Sequence, residues 1–301
     1  MRLGSLTLGT AQLSSGYGVA NRVGQRNEED ALEFLHHAYR NGILTVDTAP
    51  AYAGSERVIG EFNSTVDEKI NVITKLPSFD QKIAGLSQKE VTDQVLKACR
   101  LSKKSLRTDE IDCYLIHDEK DFTEGESKLI FALKVLLENQ EVGRLGISVY
   151  SARAAHHALD TGDFGAIQVP CNVFDRRFDE VISRASKSDT LVFARSIYLQ
   201  GLFFLSEAEV KKRVPAATPY VTILQRIADE LSRPIDEVAM AFIRDIPGID
   251  SMVIGMESVE QVDRNMEILR CAPLTTDQRQ SIMDVLTNIP AEVVNPSLWN
   301  S

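Results

Sequence analysis

The feature that most narrows what this chain can become is an alternation that runs along nearly all of it. A short run rich in Val, Ile, Leu or Thr is followed by a turn and then by an amphipathic stretch, and the pattern repeats eight times. The eight predicted strands are 6–10, 43–48, 70–75, 111–117, 144–149, 166–169, 190–195 and 251–255. Continuous apolar runs of this length suit parallel strands buried on both faces. The intervening stretches carry helix start and stop chemistry. Asn27 is placed to cap a helix with Ala31, Phe34, Leu35 and Ala38 on one face, and Asn41-Gly42 supplies a left-handed stop. Ser87 with Glu90, and Thr275 with Gln278, have capping-box spacing. Thr218-Pro219 reads as a cap followed by a first-turn proline. Leu129, Leu133, Leu136 and Leu137 form an apolar stripe that Gly143 is expected to close, and 259–268 reads as the helix after the last strand.

No Pro/Gly/Ser-rich linker and no shift of composition interrupts the alternation. Residues 1–301 therefore read as a single α/β domain, a (β/α)8 TIM barrel, rather than as two doubly wound halves. No GxGxxG follows the first strand, which argues further against the doubly wound alternative. The 33 Lys+Arg against 43 Asp+Glu give a net charge of −10, the wrong sign for a protein that neutralises phosphates along a nucleic acid. The one local basic run, Lys211 to Arg213, reads as a solvated face. No segment has the roughly 18 uncharged apolar residues of a membrane span, and the N-terminus lacks an apolar signal block, so the expectation is a cytoplasmic protein with no membrane partner. Cys99, Cys113, Cys171 and Cys271 stand apart with no CxxC, as reduced, buried thiols do. No metal site is expected: His36-His37 and His156-His157 fall on predicted helices, where consecutive side chains point apart.

In a barrel of this kind chemistry sits at the C-terminal ends of the strands and in the loops after them. Asp47 ends the second predicted strand, Tyr52 lies in the next loop, Lys75 ends the third strand and His117 the fourth. Each alone has an ordinary explanation, as a helix cap, a rim aromatic, a solvated cation or a core histidine. Together they make a proton donor. A phenol with a reference pKa of about 10 gives up its proton poorly near neutrality, and lowering that value by one unit needs about 1.4 kcal/mol of differential stabilisation. A lysine ammonium supplies it, an aspartate keeps the lysine charged, and a histidine hydrogen-bonds the carbonyl oxygen that receives the proton.

In this order and at these strand ends, Asp47, Tyr52, Lys75 and His117 resemble the catalytic tetrad of the aldo-keto reductases. The resemblance extends to Leu8-Gly9-Thr10-Ala11-Gln12, the segment Val46 to Tyr52, Gly146-Ile147-Ser148, the segment Ile167 to Asn172, and Ile254-Gly255 followed by Gln261 and Asn265. It implies an oxidoreductase that reduces an aldehyde or ketone with a nicotinamide dinucleotide, Tyr52 acting as general acid. By the same resemblance Thr10 and Asp47 lie by the nicotinamide ribose, and Ser148 and Gln168 hold the carboxamide. Ser196 to Gly201 wrap the pyrophosphate, Gln261 and Asn265 face the adenine, and Gly9, Gly255, Met256 and Glu257 are further cofactor-binding residues.

Three positions depart from the family pattern. Val149 follows Ser148 where an asparagine is common. Arg195 stands where an aromatic ring commonly stacks on the nicotinamide; a guanidinium also stacks, but its charge disfavours the oxidised, cationic ring and so favours reduction. Glu257 and Ser258 follow Gly255 where NADPH-using members place Lys or Arg. An acidic residue repels a 2′-phosphate and accepts from ribose hydroxyls, while Ser258 and Arg264 offer donors, so NADP(H) and NAD(H) both remain open. The expected partner is a small-molecule carbonyl compound, with sugar-derived ones among the candidates, and the chain is expected to be a monomer or small homo-oligomer. Tyr17, Tyr52, Ser78, Phe79 and Trp299 are candidates to close the pocket, although a lone Trp more often packs the tail on the barrel, and Phe203 and Phe204 read as core or rim packing. Two other readings use the same residues: a Schiff-base lyase with Lys75 as nucleophile, and a cofactor-binding, redox-sensing barrel with little turnover.

Overall fold

The computed structural model describes residues 3–13, 27–80 and 82–299. Eight parallel strands close on themselves in sequence order: β1 (Leu6–Gly9), β2 (Thr45–Asp47), β3 (Asn71–Leu76), β4 (Cys113–Ile116), β5 (Leu145–Ser148), β6 (Ala166–Pro170), β7 (Leu191–Arg195) and β8 (Ser251–Gly255), with β8 pairing back onto β1. Outside them lie α1 (Glu28–Arg40), α2 (Ser55–Asn63), α3 (Gln88–Leu106), α4 (Glu119–Glu138), α5 (Ala152–Thr161), α6 (Asp179–Ala185), α7 (Glu207–Arg213), α8 (Thr218–Glu230), α9 (Ile235–Arg244), α10 (Val259–Ile268), α11 (Thr276–Val285) and α12 (Ala291–Val294). This is the (β/α)8 TIM barrel that the alternation predicts. Five of the strands are shorter than the predicted runs; Ile43, Thr48 and His117 are among the residues left outside the ladder, and the last two flank the site.

Two packed layers account for the architecture. Inside the barrel Ile73, Cys113, Leu115, Ala166, Phe193 and Val253 form a compact plug beneath the open end. Outside, the strands' other faces meet the apolar stripes of the helices, among them Phe34, Leu35 and Ala38 of α1 and Leu129, Leu133 and Leu136 of α4. Burial of this kind stabilises by about 25 cal/mol per Å² of apolar surface. The helix starts follow local chemistry. Asn27 accepts from the Asp30 N–H, and Ser87 with Glu90, like Thr275 with Gln278, forms the reciprocal capping box. The basic run Lys211 to Arg213 ends α7 and is exposed.

Two helix boundaries differ from expectation. Thr218 is not a cap: the chain enters α8 through a 3-10 turn over Pro215–Ala217, so Ala217 is the flanking residue and Thr218 already has helical dihedrals. Gly143 does not close α4, which ends at Asn139, with Gln140 in the left-handed region at φ 56°. Gly143 instead lies close to Glu110 and Asp112: a Cβ there would stand 2.8 Å from the Glu110 carboxylate and 3.2 Å from the Asp112 carbonyl oxygen. Leu137, assigned to the α4 stripe, is exposed because it falls off the buried face. The four cysteines are free, three of them buried. Among the described residues no helix is long and apolar enough to cross a membrane, and no cluster of His, Cys, Asp and Glu could hold a metal ion.

Candidate active site

A cavity of about 640 Å³ opens at the C-terminal end of the barrel, and every strand or the loop after it contributes to its wall. Gly9 of β1, Asp47 of β2, Lys75 of β3, Ser148 of β5, Gln168 of β6, Arg195 of β7 and Gly255 of β8 line it, with His117 one residue beyond β4. Parallel in-register pairing sets these positions side by side. Gly9 lies opposite both Asp47 and Gly255, and Ser148 opposite Gln168. Backbones come close at the β1/β8 seam: a Cβ on Gly9 would stand 3.3 Å from the Gly255 nitrogen, and one on Gly255 would run into the Gln12 side chain.

At the centre is a buried chain of polar groups. Lys75 Nζ donates to Asp47 Oδ2 at 2.7 Å and to the Thr48 carbonyl at 2.8 Å. The second Asp47 oxygen accepts from Gln168 Nε2 at 2.7 Å, and Gln168 Oε1 accepts from the Ser148 hydroxyl at 3.2 Å. Thr10 joins from β1 through its N–H and hydroxyl, both donating to the Asp47 carbonyl. Buried charges persist only when paired and hydrogen-bonded in this way. Asp47 and Ser148, which could each have been helix caps, are not: Gly54 flanks α2, and Ser151 caps α5.

Tyr52 is carried by the turn before α2, its N–H bonded to the Ala49 carbonyl and its carbonyl to the Ser55 N–H. Its ring stands with Lys75 Nζ 5.1 Å from the centroid and with the His117 ring edge-on at 6.4 Å. Burial pushes the Tyr52 phenol above its ordinary range, and Lys75 pulls against that without reversing it. The sequence expectation of a phenol lowered by Lys75 thus has the right partner but the wrong net sign, because desolvation of the phenolate outweighs the attraction. Burial opposes the charge on Lys75, yet Asp47 and Tyr52 together hold its pKa above the usual lysine value. Burial, aided by the Lys75 charge, lowers His117 to about 4, so its imidazole is neutral near pH 7 and one ring nitrogen is an N–H donor.

The rest of the wall is a nucleotide-sized groove leading away from this centre. Ser196, Gln200 and Gly201 line it, with φ of 63°, 55° and 86°, and Leu199 beside them is also left-handed at 47°. Turns of this kind aim successive N–H groups into one concavity, which favours anions, and left-handed non-glycine residues concentrate at functional sites. At the far end Glu257, Ser258, Gln261, Arg264 and Asn265 line the groove around the start of α10. Asn265 is held at both ends, accepting from the Tyr198 hydroxyl at 2.8 Å and donating to the Gln261 carbonyl at 2.7 Å, while Gln261 Oε1 accepts from the Glu257 N–H.

Some expected residues lie elsewhere. Met256 does not line the cavity; its side chain is buried in the outer core, because the residue after β8 turns inward while Gly255 faces out. Trp299 packs on the core with its indole N–H donating to the Glu292 carbonyl, and neither it nor Ser78 nor Phe79 reaches the cavity. Phe203 is core, packed edge-on against Phe174, but Phe204 lines the cavity beside Tyr198. Tyr17 lies outside the described residues. Tyr150, Asp236 and Gln12 are among the lining residues that the sequence does not single out. Tyr150 lies under the Arg195 guanidinium, 4.1 Å from ring centroid to Cζ. Asp236 reaches in from α9 and pairs with Arg264, and Gln12 covers Gly255. Of these only Gln12 stood within a segment quoted for the family.

The comparisons with known proteins agree with this geometry. Aldo-keto reductase YhdN of Bacillus subtilis (strain 168) is 23% identical over 297 residues, covering 91% of this chain and 88% of the relative. Among solved structures, the holo form of aldo-keto reductase AKR11C1 from Bacillus halodurans superposes with a TM-score of 0.75 at 20% identity over 99% of this chain and 96% of that one. The glycerol dehydrogenase AKR11B4 from Gluconobacter oxydans superposes with a TM-score of 0.74 at 21% identity, over 98% and 94%. The model of the aldo/keto reductase family matches residues 5–287. With an eight-stranded barrel whose open end gathers Asp47, Tyr52, Lys75 and His117, and with that match over nearly its whole length, the chain belongs to the aldo/keto reductase family, and its chemistry is oxidoreduction at a carbonyl.

Proposed function

We propose that the chain, as one catalytic barrel, reduces the aldehyde or ketone group of a small molecule to an alcohol, with NAD(P)H as the reductant and Tyr52 as the proton donor. The observation that carries this reading is the ammonium of Lys75, bonded to Asp47 and standing against the Tyr52 ring with His117 opposite.

The residues present suit a dinucleotide. The Ser148–Gln168 pair offers an acceptor and a hydroxyl to a carboxamide, and the left-handed turn at Ser196 to Gly201 suits a pyrophosphate. When bound, the dihydronicotinamide supplies two electrons as hydride to the carbonyl carbon. The chain's own work is at the oxygen. Neutral His117 donates an N–H to it and draws it within reach of Tyr52. The Tyr52 O–H gives up its proton as the C–O bond becomes single, and Lys75 stabilises the phenolate that remains. Asp47 keeps Lys75 charged and, through Gln168, orients the Ser148 hydroxyl.

A lysine held protonated between a carboxylate and a carbonyl is a poor Schiff-base nucleophile, so reduction is favoured over the lyase reading. The test is a panel of aldehydes and ketones incubated with NADH and NADPH, following loss of the dihydronicotinamide absorbance. Turnover of at least one carbonyl class supports the reading; tight nucleotide binding without turnover of any would replace it with the sensing role.

A further inference from the structure

We propose that the far end of this cavity selects NAD(H) against NADP(H), through an Asp236–Arg264 clamp and Glu257. The inference rests on reading the cavity as a dinucleotide site. The reacting ring must lie at the Tyr52 end, so the adenosine ribose falls at the other end of the same groove, around the start of α10.

A 2′-phosphate brings nearly two negative charges at neutral pH and needs a cation with donors to spare. The described residues lining the cavity include three cations, Lys75, Arg195 and Arg264. Lys75 is committed to Asp47, and Arg195 is tied at the mouth of the barrel to the Val149 carbonyl at 3.1 Å and over the Tyr150 ring. Of the three only Arg264 stands at the α10 end, and its charge is already paired. Its Nε and one terminal nitrogen donate to the two oxygens of Asp236 at 2.8 and 3.0 Å, and Glu237 and Glu267 lie 3.8 and 3.7 Å away. The bond with Asp236 raises its pKa further, so the pair is charge-assisted on both sides.

Ser258 adds no cation: its oxygen caps α10, and its hydroxyl is bonded to Glu260. Glu257 lines the same end. Asp236 and Glu257 line the groove there, and Glu237, paired with Arg233, and Glu267 stand close to Arg264, so four carboxylates meet two guanidinium groups. A phosphate would meet net repulsion and would have to break the Asp236 clamp, whereas a ribose 2′-hydroxyl donates to a carboxylate at no such cost.

Equilibrium titration of the purified protein with NADH and with NADPH, read by fluorescence or calorimetry without any carbonyl substrate, tests this. The expected result is NADH bound at least about tenfold more tightly. Asp236→Asn, which frees Arg264, and Glu257→Lys, at a half-buried position of the groove wall, each shift the ratio of NADPH to NADH affinity several-fold toward NADPH. Equal or tighter binding of NADPH by the wild type, or an affinity ratio unmoved by Glu257→Lys, overturns the selection while the dinucleotide site stands. Binding of neither nucleotide overturns the site itself.

Discussion

Lys75 and Asp47, 28 residues apart in sequence, share a 2.7 Å hydrogen bond with both side chains almost wholly out of solvent. A charge pair so placed is costly to break from one side, because the surviving partner is left buried and unpaired. Lys75→Met is therefore expected to destabilise the fold by roughly 3–5 kcal/mol and to abolish turnover. The double variant Asp47→Asn with Lys75→Met should recover much of the stability and none of the activity. Urea denaturation alongside steady-state assays checks both.

Tyr52→Phe removes the phenol O–H proposed as the proton donor and leaves the ring in place. Turnover is expected to fall by about 10²–10⁴, the range for loss of a general acid, with nucleotide affinity unchanged by titration. A variant that keeps near wild-type turnover would mean that another group protonates the oxygen.

His117 makes the fold acid-sensitive in a defined window. Its folded value, about 4, lies below the 6.5 of an exposed histidine, so the unfolded chain binds the proton more readily. Its stabilising effect is complete above about pH 6.5 and is lost as pH falls toward 4, on the order of 3 kcal/mol over the interval. Comparing urea midpoints of the wild type and His117→Gln at several pH values across it should give curves that converge as pH falls. Parallel curves would place the histidine's titration elsewhere.

Arg195 acts at a distance on the same centre, since its positive charge lowers the pKa of both Tyr52 and His117. Arg195→Gln is expected to move the alkaline limb of the pH–rate profile for reduction upward, as the phenol holds its proton to higher pH. It should also tighten the oxidised dinucleotide relative to the reduced one, because a cation beside the ring disfavours its cationic form. Loss of the Val149 and Tyr150 contacts without either change would make Arg195 a packing residue only.

Gly60 of α2 tests how closely the helices are set. A Cβ there would lie 2.2 Å from the Ser105 carbonyl oxygen of α3, backbone that cannot step aside. Gly60→Ala should cost about 1–3 kcal/mol by overpacking, read as a lower thermal midpoint.

Much of this protein is legible in its sequence because the controlling physics is local. Strand runs buried on both faces, the caps at Asn27, Ser87 and Thr275, and the missing linker determine an eightfold barrel, and the barrel determines that Asp47, Lys75 and His117 end adjacent strands. What only the tertiary structure decided is how those groups are charged and which are already engaged. The sign of the Tyr52 shift depends on how much solvent the assembled barrel excludes. The inward turn of Met256 depends on the core beneath β8, and Trp299 is held by Glu292 rather than by the pocket. The availability of Arg264 depends on Asp236, a residue of another helix 28 positions away. Electrostatics in a low-dielectric interior is set by near neighbours in space, and for these residues the neighbours come from distant parts of the chain.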